Sequence, residues 1–81
     1  MLTLRAIRVI RDIPLFVLGQ RTGISPTRLS NIERQLVHAT DEERGKIARC
    51  LRVKARLLFQ PATLATLDES LCEEETTHVV R

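Results

Sequence analysis

Leu15 to Arg34, LFVLGQRTGISPTRLSNIER, leaves this 81-residue chain few ways to fold. Leu15, Leu18, Gly19 and Thr22 fall at i, i+3, i+4 and i+7, which is one face of a helix. Gly23 ends that helix, because a residue at ease with positive φ lets the chain turn sharply. Ser25 is placed to cap a second helix, and Pro26 suits its first position, where no N–H is needed. Leu29, Ile32 and Leu36 form the apolar face of that second helix. Thr27, Ser30, Asn31 and Arg34 repeat the i, i+3, i+4, i+7 spacing on the opposite face. The stretch therefore predicts two short helices joined by a tight turn, the second carrying short hydrogen-bonding side chains and one cation.

A helix with one buried face and one small polar face ending in Arg fits the DNA major groove. The charge distribution points the same way. Up to Gln60 there are twelve Lys or Arg against five Asp or Glu, and after it one against five, so a body of +7 carries a tail of −4. A basic body suits a polyanionic partner. Phe16 and Phe59 are the only aromatic residues, which argues against an aromatic-lined ligand pocket and against base stacking on single strands.

With Leu18 followed by Gly19, Gly23-Ile24-Ser25 at the turn, and Leu29, Ile32 and Glu33 beyond it, the stretch resembles the helix-turn-helix of the Cro/cI (XRE-like) family of bacterial and phage DNA-binding regulators. The resemblance covers about residues 4 to 59. It implies an all-α fold: a five-helix lambda-repressor-like DNA-binding domain over residues 1–60, with the motif at about 15–34. It also implies a structural pair, Arg8 of the first helix with Glu33 near the end of the recognition helix. Ser25 would hold phosphate, and Thr27, Ser30 and Asn31 would read base edges. Arg28, Arg34 and Gln35 complete the expected DNA-contacting set. Two departures stand out. Leu15, Phe16 and Val17 occupy positions that the family usually makes polar, and Pro26 replaces a residue that often reads a base.

The rest of the chain reads as further helices. Leu2 to Arg11 has Leu4 and Ile7 inward, with Ile10 or Arg11 extending that face and Arg5, Arg8 and Arg11 as a basic stripe. Thr40-Asp41-Glu42-Glu43 is a capping box that opens a helix to about Leu51, with Ile47, Ala48 and Leu51 inward. Lys54 to Phe59 is a short fifth helix. Beyond Pro61, residues 61–81 form an extension with a short amphipathic helix, Ala62 to Glu74, striped by Leu64, Leu67 and Leu71 and followed by acidic residues. Phe16 and Val17 point away from the core by their spacing. Together with Leu64, Leu67 and Leu71 they are the expected interface.

No nucleophile motif, phosphate-cradling glycine loop or metal-spaced Cys/His set is present, so no enzyme, cofactor or metal is expected. Cys50 and Cys72 are too few for a secreted disulfide framework, and Cys50 fits a small core position. Arg5, Arg8 and Arg11 break up the apolar start, and no run approaches the ~20 apolar residues of a membrane span. The expectation is a cytoplasmic, sequence-specific regulator of double-stranded DNA. It would be a small repressor acting as a homodimer on a palindromic operator, with no membrane partner. The alternative is an antitoxin or anti-regulator whose main partner is another protein.

Overall fold

The computed structural model describes residues 1–70. Five helices are α1 (Thr3–Ile10), α2 (Leu15–Thr22), α3 (Pro26–Glu33), α4 (Asp41–Leu51) and α5 (Ala55–Leu58), and a sixth, α6, covers 64–70. The described residues are all-α, with no strand and one isolated bridge, Leu2 to Pro61. α2 packs on α3 and α4, α4 on α5, and α5 on α1. Leu4, Ile7, Leu18, Leu29, Ile32, Ile47, Leu51, Leu57 and Leu58 meet in the interior, with Ala48 and Cys50 partly buried at its edge. Arg11, rather than the exposed Ile10, continues the inward side of α1, donating to the carbonyl of Leu51 at the end of α4.

The helix starts follow local chemistry. The Ser25 hydroxyl accepts from the Arg28 amide at 3.1 Å, with Pro26 at the first helical position. Thr40 and Glu43 form a complete capping box: the Glu43 amide donates to Thr40 at 3.1 Å, and the Thr40 amide donates back to Glu43 at 2.9 Å.

The helix ends are less regular. α2 stops on Gly23 at φ 76, but the chain is also left-handed at Asp12 (φ 57), Gln35 (φ 62) and Arg52 (φ 59). After α3 the amides of Gln35 and Leu36 donate to the carbonyls of Ile32 (3.0 Å) and Asn31 (2.9 Å), the paired bonds of a Schellman closure. This corrects the expected apolar face of α3. Leu36 was placed one turn beyond Ile32, but the reversal at Gln35 takes it off the helix and leaves it 63% exposed.

The extension is tied to the start of the chain. The Thr3 amide and hydroxyl both donate to the Gln60 carbonyl at 2.9 Å, and the Ala62 amide donates to Met1 at 2.7 Å. The break expected at 60/61 is thus spanned by hydrogen bonds. Thr63 and Thr66 cap α6 reciprocally, so it starts at 64 rather than 62. α6 turns Thr66 and Ser70 inward, where Thr3 donates to Thr66 at 3.1 Å, while Arg56 pairs with Glu69 at 3.1 Å on the outside. The docking face is therefore not the described part of the leucine stripe. Leu64 is 82% exposed, Leu67 is half-buried, and Leu71 lies outside the described residues.

Candidate nucleic-acid interface

Two glycines set the angle between α2 and α3. Gly23 supplies the left-handed turn. Gly19 supplies closeness: a Cβ there would lie 2.7 Å from the Ile24 carbonyl oxygen and 3.4 Å from the Pro26 ring. The backbone after the turn thus runs directly over α2, and only a residue without a side chain leaves room. Thr22 adds a local tie, donating to Leu18 at 2.8 Å and accepting from the Ile24 amide at 3.3 Å.

The far end of α3 is held by a buried ion pair. Arg8 Nε donates to Glu33 Oε2 at 2.7 Å and Arg8 Nη2 to Glu33 Oε1 at 3.1 Å, while Arg8 Nη1 donates to the Ile13 carbonyl at 2.8 Å. The side chains are 13% and 3% exposed. One guanidinium so joins α1, the loop before α2 and the last turn of α3, in the bidentate geometry that fixes orientation as well as distance.

Between these anchors the outer side of α3 is open. Ser25, Pro26, Thr27, Arg34 and Gln35 are exposed, and Ser30 and Asn31 are half-buried. Apart from the Ser25 cap, the side chains of this set make no hydrogen bond or ion pair among the described residues. Donors and acceptors without partners along one helix edge, ending in an unpaired cation, form a surface that can exchange hydrogen bonds with base edges and phosphates.

Arg28, also expected to contact DNA, differs from these side chains in having partners. Its Nε and Nη2 donate to Glu43 at 3.1 Å each, and Nη2 also reaches the His38 carbonyl at 3.2 Å. Its hydrogen bond with Glu43 raises the Arg28 pKa. The same bond, followed by the Thr40 amide, holds the Glu43 carboxyl below the usual glutamate range. The charge is neutralised within the fold, where it ties α3 to the start of α4. Sequence reading missed this pair because Glu43 already had a complete local role in the capping box, and the partners are 15 residues apart.

Phe16 is 59% exposed, and α6, bound to α1 and α5, leaves it open. Val17 was expected to point outward as well, but it is half-buried. Phe16 lines a shallow groove with Gln20, Ser25 and Pro26, so the apolar patch adjoins the polar edge of α3.

No family model matches the chain, and no curated protein and no solved structure matches it either. Among the described residues no group of three or more His, Cys, Asp or Glu side chains is placed to hold a metal ion, and no helix is long and apolar enough to cross a membrane.

Proposed function

We propose that the protein is a sequence-specific double-stranded DNA-binding regulator, a small cytoplasmic repressor with a lambda-repressor-like domain that acts as a homodimer. The observation that carries this reading is the edge of α3. Thr27, Ser30, Asn31 and Arg34 lie along it without side-chain partners among the described residues, on a helix whose position is set by Gly19 at one end and Arg8–Glu33 at the other. Rigid placement of a short polar helix is what major-groove reading needs, since bidentate base contacts tolerate little displacement. Thr27, Ser30 and Asn31 read base edges, Ser25 and Gln35 contact phosphate, and Arg34 contacts either. Two copies related by a two-fold axis set their α3 helices about 34–36 Å apart, one turn of DNA, and so select a palindromic site. The exposed Leu64 side of α6, continued in sequence by Leu67 and Leu71, supplies the dimer contact.

The second reading rests on Phe16. A large aromatic side chain left open beside the α3 edge suits a protein partner. A partner seated there would overlap the DNA-facing surface, so the two kinds of binding would exclude each other, as in an antitoxin or anti-regulator. Selection of bound sites from random duplex DNA, with the sedimentation of the protein measured in parallel, separates the readings. Recovery of a palindromic sequence by a dimer supports the repressor. A monomer that enriches no sequence and shows no duplex affinity at low salt removes it.

A further inference from the structure

A cleft of about 270 Å³ lies behind the loop that follows α3. Its apolar walls are Leu2, Ile32, Val37, Ala39 and Phe59, contributed by the chain start, α3, the loop and the end of α5. Gln35, His38 and Arg44 bring polar groups to it. Arg44 differs from Arg8 and Arg28, which tie helices together through ion pairs. Arg8 and Arg28 each face a carboxylate, whereas Arg44 has no ion pair among the described residues. Its guanidinium carbon sits 5.0 Å from the centre of the Phe59 ring, and its Nε is buried without a hydrogen-bond partner. A planar cation held against an aromatic wall at the edge of an apolar cleft, with no carboxylate facing it among the described residues, suits an anionic group.

We propose that this cleft binds a small organic carboxylate with an apolar body, its carboxylate on Arg44 and its hydrocarbon against Leu2, Ile32, Val37 and Phe59. Size follows from volume. A 150 Å³ apolar cavity accepts benzene, so at similar density a cleft of this size holds on the order of ten heavy atoms. Octanoate has that size and that division of charge. The occupant would touch Ile32 within α3 and Gln35 at its left-handed stop, so its binding would change the affinity for duplex DNA. That consequence rests on the DNA-binding reading, and the binding itself does not.

The test is NMR titration of the labelled full-length protein with sodium octanoate, with octan-1-ol as the neutral control and acetate as the anion control, at constant ionic strength. Saturable shifts at Leu2, Ile32 and Val37 are expected with octanoate and absent with acetate. Arg44→Met, which keeps an apolar stem on Phe59, should weaken octanoate about tenfold or more and leave octanol unchanged. Ala39→Leu, which fills the cleft, should abolish binding of both and carries the test if Arg44→Met does not fold. The proposal is overturned by the lack of saturable binding at millimolar octanoate, by equal affinity in the folded Arg44→Met protein, or by shifts confined to another surface. Octanoate binding by a protein with no duplex affinity would remove the DNA reading and leave the site. Duplex binding without octanoate binding would do the reverse.

Discussion

Glu33→Ala should destabilise the protein by about 3 kcal/mol. The Glu33 side chain is 3% exposed and accepts two Arg8 hydrogen bonds, at 2.7 and 3.1 Å. Its removal leaves a guanidinium only 13% exposed without its counter-charge. Breaking one side of a buried pair costs roughly 3–5 kcal/mol. The lower end applies here because Arg8 keeps the Ile13 carbonyl at 2.8 Å and some contact with water. A domain of this size holds roughly 4–12 kcal/mol in all, so the loss is a large fraction of its stability. In urea, with a slope of about 1–1.5 kcal/mol per molar, the unfolding midpoint followed by circular dichroism should fall by about 2–3 M. Replacing both partners, Arg8→Leu with Glu33→Leu, leaves no orphaned charge and should cost less than Glu33→Ala alone. The reasoning fails if Glu33→Ala stays within about 1 kcal/mol of the parent, or if a cycle through Arg8→Leu and Glu33→Leu gives additive losses with no coupling.

Gly19→Ala places a Cβ 2.7 Å from the Ile24 carbonyl oxygen and should cost about 1–3 kcal/mol, read as a lower melting temperature; an unchanged value would mean that α2 and α3 separate easily. The Glu43 carboxyl is held low by Arg28 first and the Thr40 amide second, so on acidification the unfolded chain takes up this proton before the folded one. The stability from this pair is therefore present above about pH 4.3 and lost as the pH falls through the lower folded-state value. Urea unfolding at about pH 6 and about pH 3 should show a smaller loss for Glu43→Gln than for the parent, and equal losses would contradict the assignment. Asn31→Ala should flatten sequence preference by about 1–3 kcal/mol at one base pair while non-specific binding and its salt slope persist, as measured by competition with mismatched duplexes. Arg52→Gly should raise stability by up to about 1 kcal/mol in urea, because the relief of a left-handed non-glycine residue exceeds the entropy cost of glycine.

The helices were legible in the sequence because their signals act within four residues. Gly23 tolerates positive φ, Ser25 and Thr40 reach amides three positions on, Glu43 reaches back, and the apolar spacings place Leu4, Ile7, Leu18, Leu29, Ile32 and Ile47 in the interior. The polar edge of α3 was readable for the same reason, since residues at i, i+3, i+4 and i+7 share a side wherever the helix lies. The left-handed stops at Gln35 and Arg52 gave no such signal, because those side-chain types do not favour the conformation. Asp12, of a type that enters it more readily, lies at the break that precedes Pro14. The stop at Gln35 alone reversed the expected burial of Leu36. Tertiary structure also decided which charges are spent inside the fold. Arg28 and Arg34 look alike in the sequence, but the path of the loop into α4 brings Glu43 against Arg28 and leaves Arg34 without a partner among the described residues. The same holds for α6, whose leucines are its most hydrophobic residues. It meets α1 through Thr66, because Thr3, 63 residues away in sequence, stands where a hydroxyl can be satisfied and a leucine cannot. The buried Ser70 hydroxyl turns back to the Thr66 carbonyl. Local spacing determines which residues share a face, and only the crossing of helices determines what that face meets.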